Sequence, residues 1–166
     1  MAENTPKHKE ELKIVNDLIK DIDVAMFTTI VNNKPVSRPL QTQEAEFDGE
    51  LWFLTLKDTD KYQEILENPS VNLAYAGKSY VSISGTAEFV DDLELKKEYW
   101  NKVYEKMLDT TYDDPNVILI KVTAESAEYW DSGSTVKTVK NFAKKLTGKE
   151  TEGDKKQMND TVEFKK

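Results

Sequence analysis

Apolar residues change their spacing several times along the chain, and each change marks an element. Leu12, Val15, Ile19 and Ile22 recur at helical intervals among Lys and Asp, which predicts an amphipathic helix over about residues 6–22, opening at Pro6. Val24 to Val31 is a short β-branched and aromatic run. Asn32-Asn33-Lys34-Pro35 then supplies turn chemistry, so a hairpin into a second extended run, Val36 to Phe47, is expected. Asp48-Gly49 is a further turn signal before the strongly apolar Leu51-Trp52-Phe53-Leu54-Thr55-Leu56, giving three antiparallel strands in succession. Tyr62, Ile65 and Leu66 predict a short helix that stops before Asn68-Pro69. Strands resume at Val71 to Ala76 and at Tyr80 to Val90, joined around Gly77-Lys78.

Asp91-Asp92 reads as the N-cap of a helix from about Leu93 to Met107, with Leu95, Tyr99, Val103 and Met107 towards its buried face. Asn116 to Trp130 reads as one long strand, and Val136 to Leu146 as a last helix. From Thr147 the apolar periodicity ends, so residues 147–166 are expected to form a charged, mobile tail after a single domain, residues 1–146. Six short strands joined mainly by hairpins suit an antiparallel barrel with peripheral helices, α+β and mainly β, rather than a doubly wound parallel sheet.

Composition narrows the chemistry. A length of 166 residues suits one domain. No run approaches the roughly 20 apolar residues of a membrane span, and the polar start lacks a secretory pattern, so a cytoplasmic protein without membrane partners is expected. The net charge of −8, with no basic stripe, opposes nucleic acid as a partner. With no cysteine, and with His8 as the one histidine in a polar N-terminal stretch, thiolate, triad and Cys-based zinc devices are excluded. Demanding chemistry would then come from an organic cofactor. Asp91-Asp92 and Asp113-Asp114-Pro115 are better read as caps and turns than as metal pairs, and no metal site is expected.

Arg38 is the one arginine in a chain otherwise served by lysine, within Ser37-Arg38-Pro39-Leu40-Gln41. Two readings stand: a guanidinium fork placed for a phosphate, or a surface charge paired with Glu44 or Glu46. Lys61 opens the short helix, close after Thr55 at a strand end and Thr59 at the expected cap. It reads either as part of a phosphate cradle or as a solvated lysine beside a helix capped by Asp58 or Thr59. Gly85, in Ser82-Ile83-Ser84-Gly85-Thr86, reads as a bulge.

These segments share an order with a known family. Ser37-Arg38-Pro39-Leu40-Gln41, Asp48-Gly49-Glu50-Leu51-Trp52-Phe53-Leu54-Thr55, Lys61, and Glu67-Asn68-Pro69-Ser70-Val71-Asn72-Leu73 resemble the pyridoxamine 5′-phosphate oxidase-like flavin-binding split barrels, closest to the general stress protein 26 branch. The resemblance spans about Leu12 to Trp130. It implies a six-stranded split β-barrel working as a homodimer, with FMN, or alternatively FAD, held between subunits. It further implies that Arg38 and Lys61 hold the phosphate with the hydroxyls of Thr55 and Thr59, and that the backbone of Arg38, Pro39, Leu40 and Gln41 and of Phe53, Leu54 and Thr55 meets the flavin ring. Trp130 resembles a late-strand tryptophan that meets the flavin of the opposite subunit; on burial tendency alone it reads equally as a core aromatic.

Two features depart from the pattern. Asp60 stands where pyridoxamine phosphate oxidases commonly carry a basic residue, and the family's C-terminal Arg-x-His segment is absent, so true pyridoxamine phosphate oxidase activity is not expected. What the resemblance implies is a flavin-dependent oxidoreductase of unassigned substrate and catalytic residues, with a role in stress by analogy. A flavin carrier or sensor without turnover, or the same fold holding a deazaflavin, are the alternatives.

Overall fold

The computed structural model describes residues 6–43, 46–131 and 159–164. Helix α1, Pro6–Ile19, buries Val15, Leu18 and Ile19 on the face that the periodicity marks. It ends one turn earlier than expected, where the Ile22 N–H bonds the Ile19 carbonyl (3.0 Å). His8, near its start, meets Phe164 edge-on at 6.0 Å between ring centres.

Strand β1, Val24–Val31, and strand β2, Lys34–Gln41, form the expected hairpin. Its loop is only Asn32-Asn33, both at positive φ (49° and 61°), as a two-residue primed turn requires; Asn tolerates that region best after Gly. Lys34 and Pro35 therefore belong to the strand. The extended run was expected to reach Phe47, but β2 stops at Gln41. Thr42 turns away, its amide bonding the Asp23 carbonyl (2.8 Å) and its hydroxyl the Ile22 carbonyl (2.7 Å).

Strand β3, Glu50–Leu56, does not continue the hairpin series; it pairs with a distant strand. After helix α2, Asp60–Glu67, come β4, Ser70–Ala76, and β5, Ser79–Val90. The helix expected over residues 93–107 is two: α3, Leu93–Tyr99, and α4, Lys102–Leu108. Asp92 caps the first, accepting from the Leu95 N–H (2.9 Å), as the sequence indicates. Asn101 interrupts the run in extended conformation and caps the second, accepting from the Val103 and Tyr104 amides (2.9 and 3.2 Å).

Strand β6, Val117–Asp131, and strand β7, Asn159–Glu163, complete the sheet. The last of these corrects the expectation of a wholly mobile tail: Ala127 pairs with Val162, whose side chain is buried. The helix expected at Val136–Leu146 lies outside the described residues.

The sheet order is β2-β1-β4-β5-β6-β3, with β7 on β6, and every pairing is antiparallel. No ladder joins β2 to β3, so the barrel is split at that seam rather than closed. Its interior holds Phe27 of β1 edge-on against Phe53 of β3 (5.7 Å), with Leu73, Ile83 and Ile120 fully buried around them. A smaller cluster, Leu54, Tyr104, Val117 and Leu119, seats α3 and α4 against the other face of β3 and β6. Pro35 and Pro39 sit on β2, an edge strand, where a missing donor is tolerated.

Candidate functional site

The two strands that border the seam carry most of the sequence-marked residues. Arg38, Pro39, Leu40 and Gln41 are the end of β2, and Phe53, Leu54 and Thr55 lie in β3. Each strand has only one neighbour in the sheet, which leaves backbone groups on its other side free of the ladder. Leu40, Phe53, Leu54 and Thr55 are buried, whereas Pro39 is exposed. Helix α4 bridges the seam: the Tyr104 hydroxyl donates to the Gln41 carbonyl (2.8 Å) and accepts from the Gln43 side-chain amide (3.3 Å). Burial holds the Tyr104 phenol protonated well above the usual range, so it remains a donor.

Arg38 faces α2. Its Nη2 donates to Glu64 Oε2 at 2.6 Å and its Nη1 to the Thr29 hydroxyl at 2.9 Å. Thr29, fully buried, in turn donates to the same carboxylate oxygen at 2.7 Å. The surface pairing with Glu46 is not made among the described residues, and Glu44 lies outside them; the guanidinium instead grips a carboxylate, the group whose geometry stands nearest to phosphate. Glu64 and Thr29 were not singled out in the sequence. The available signal was the Lys61–Glu64 spacing, i to i+3, which puts both on one face of α2.

Lys61 belongs to the same charge cluster. Burial, and then the Arg38 guanidinium, push its pKa down from 10.5 to about 8, against the pull of Glu64. Glu64 is ion-paired with Arg38, and Lys61 stands close enough to feel both charges, so two cations lie near one carboxylate. Thr59 occupies the N-cap of α2 but makes no side-chain cap; its hydroxyl donates to the Leu56 carbonyl (2.8 Å). The helix therefore begins with amides uncapped by any side chain, beside Lys61. Thr55, at the close of β3, is buried four residues upstream.

Trp130 is not brought to this cluster within one chain. It sits on β6 opposite Tyr80 of β5, more than a third exposed, on the outer face of the sheet, while Arg38 shares the inner row of Phe27, Leu73, Ile83 and Ala127. Its reading as a core aromatic is thereby set aside. Gly85 lies at the register shift between β5 and β6, as the sequence indicates. Among the described residues, no group of three or more His, Asp or Glu side chains is placed to hold a metal ion, and no helix is long and apolar enough to cross a membrane.

The depressed Lys61 has a measurable consequence. Between about pH 8 and 10.5 the unfolded chain binds more protons at this position than the folded one, so its contribution to stability rises with pH there. Below about pH 8 the cost of the buried charge is constant and full. Lys61→Met is expected to stabilise the protein at neutral pH and to lose that advantage towards about pH 10. Urea denaturation of both proteins at several pH values checks this; a difference independent of pH would contradict it.

Comparison with known proteins agrees with this architecture. Residues 10–152 match the family model described as pyridoxamine 5′-phosphate oxidase like. General stress protein 26 of Bacillus subtilis is 29% identical over 126 residues, covering 72% of this chain and 87% of the relative. The crystal structure of general stress protein 26 from Bacillus anthracis superposes with a TM-score of 0.65 at 25% identity, over 72% of this chain and 93% of that one. A pyridoxamine 5′-phosphate oxidase-related, FMN-binding protein from Nostoc punctiforme shares the fold, with a TM-score of 0.59 at 13% identity, over 79% and 86% of the two chains. With matching motifs, a matching split barrel and a family model covering most of its length, the chain belongs to the pyridoxamine 5′-phosphate oxidase-like family.

Proposed function

We propose that the protein binds a flavin, FMN in the first instance, along the β2–β3 seam, and that it serves as a flavin-dependent oxidoreductase. The observation that carries this reading is the cation pair at the foot of α2, Arg38 and Lys61, which lie near one carboxylate, Glu64. A phosphate monoester supplies a further anion, and the uncapped amides of α2 with the Thr55 and Thr59 hydroxyls add donors around it. The edges of β2 and β3 offer backbone partners for a planar ring, and Phe53 and Leu40 exclude water beneath it. The flavin itself supplies the acceptance and donation of hydride or electrons. Tyr104, kept protonated by burial and fixed to the Gln41 carbonyl, holds α4 over the seam.

A second copy of the chain completes the site in this reading. Val24, Met26, Ile30, Tyr80 and Trp130 all project exposed from the outer sheet face, and no helix of the described residues covers them. Docking two such faces would bring Trp130 to the partner's flavin. Light scattering should then report a dimer, and a monomer at micromolar concentration would overturn this part. The cytoplasm is the compartment proposed, since an acidic chain without cysteine needs no oxidising environment.

The test is direct. Protein purified from cells, or incubated with FMN, should show flavin absorption, and mass spectrometry of the released small molecule should identify it. Colourless protein that takes up neither FMN nor FAD would refute the proposal. Because no thiol exists and the one imidazole, His8 on α1, packs against Phe164, a carrier or sensor without turnover is the competing reading. Bleaching by a nicotinamide donor, followed by reoxidation with a defined acceptor, selects the enzyme.

A further inference from the structure

Helix α2 brings Lys61 beside Arg38, and two separate sets of contacts hold that helix. In its middle, Glu64 accepts from Arg38 at 2.6 Å and from Thr29 at 2.7 Å. Its start is tied to β3 by a turn of only three residues, Lys57-Asp58-Thr59, so the place of Lys61 relative to Arg38 depends on how that turn is set. Leu56 and Val117 are the last pair of the β3–β6 ladder. Just beyond them Asn116 accepts twice from the turn, its carbonyl from the Lys57 amide at 2.8 Å and its side-chain Oδ1 from the Asp58 amide at 3.2 Å. Any residue could supply the carbonyl. The second bond needs this side chain, and it extends the ladder by one rung after the backbone pairing has ended.

Asn116 is itself held in place by its own neighbours. The Val117 amide bonds the Asp114 carbonyl at 3.0 Å across Pro115-Asn116, a turn with proline at its second position, where the fixed φ is favoured. Asp114 Oδ1 accepts the Asn116 amide at 2.8 Å, and its Oδ2 accepts the Thr110 hydroxyl at 2.6 Å. On the other side of the turn, the Lys57 ammonium meets Asp91 at 3.0 Å. The Thr59 hydroxyl donates back to the Leu56 carbonyl at 2.8 Å, and the Tyr62 amide to the Thr59 carbonyl at 3.1 Å. None of these contacts involves Arg38 or Lys61, yet together they fix the segment from which Lys61 projects. A binding constellation must be held to within about 0.5 Å to work, and supporting hydrogen bonds of this kind are what hold it.

We propose that Asn116 is a positioning residue for the Arg38–Lys61 anion site: by accepting the Asp58 amide it sets the turn into α2, and with it the place of Lys61 opposite Arg38. The inference rests on the reading of that cluster as a phosphate site. It does not require the phosphate to belong to a flavin.

Titration of the full-length chain, freed of bound small molecules, with FMN, with riboflavin and with inorganic phosphate tests it. Asn116→Ala should weaken FMN roughly 10-fold and phosphate by a similar factor, while riboflavin, which lacks the phosphate, changes by less than about 2-fold. A general loosening of the fold would weaken the two flavins alike. Asp114→Ala leaves the Asn116 side chain present but releases its amide, so it should give the same selective loss to a smaller degree; it carries the test if Asn116→Ala does not fold. A wild type that binds phosphate but neither flavin would refute the flavin reading alone, and the phosphate titration of the variants would then decide for or against Asn116. Equal loss of FMN and riboflavin, unchanged FMN and phosphate affinity in the variants that fold, or a wild type that binds none of the three would overturn the proposal.

Discussion

Arg38→Ala is expected to raise the dissociation constant for FMN about 100-fold, the loss of a charge-assisted, two-pronged phosphate contact. Lys34→Ala, just beyond the hairpin loop and exposed on β2, should leave affinity unchanged although it removes the same formal charge. The comparison therefore separates placement from net charge. Removing Arg38 also strands Glu64 and Thr29, so Glu64→Gln is the companion variant. In the structure the Glu64 carboxylate occupies Arg38 and competes with an incoming phosphate; neutralising it should preserve or tighten FMN binding while the fold stays intact. Fluorescence titration of the four proteins measures both effects. Equal affinities for wild type and Arg38→Ala would remove the guanidinium from the site.

The largest stability effect is expected at Gly85. A Cβ built there would stand 2.3 Å from the Thr123 carbonyl oxygen and 3.1 Å from Val122 Cγ1. Backbone on the neighbouring strand cannot give way as a side chain can, and the position is where the β5–β6 register shifts, with Ser84 opposite Ser126 but Gly85 opposite Ala124. Gly85→Ala should cost about 3 kcal/mol or more, or prevent folding. Gly77→Ala is the control: its Cβ meets only the Ile22 side chain, at 3.1 Å, which can shift. Urea denaturation of both variants decides the matter, and a Gly85→Ala protein with the wild-type midpoint would contradict the argument.

Local chemistry was readable where a few neighbouring residues determine it. The Asn32-Asn33 turn, the bounds of β1, the Asp92 cap and the bulge at Gly85 all follow from residue types within a short window. The failures share a different cause. No Gly, Pro, Asn or Asp stands between Gln41 and Phe47 to signal the end of β2, yet Phe47 is drawn into the core beside α1, where Asn16 Oδ1 accepts its amide, so pattern alone overran the strand. Trp100-Asn101 sits in helical period, yet the Asn101 side chain satisfies the next helix and breaks the run. Strand β3 follows a turn signal but finds its partner some 70 residues later, in β6; pairing over that distance leaves no local trace. In β7 and just after it, Val162 and Phe164 contribute too little apolar signal to stand out from a charged tail.

The site divided in the same way. The lone arginine and the lysine after a strand end were visible as types in place, and the structure sets them in one charge cluster. The carboxylate that joins them was not visible, because Glu64 comes near Arg38 only once α2 has packed against β1.

The prolines at 35 and 39 have a further consequence. A border strand with free hydrogen-bonding groups invites foreign chains to extend the sheet, the first step towards fibres. Two imino positions deny an intruder a continuous ladder of donors along β2, while carbonyls and the remaining amides stay open to a small planar guest. The barrel can thus keep one flank unzipped without becoming a template for its own polymerisation.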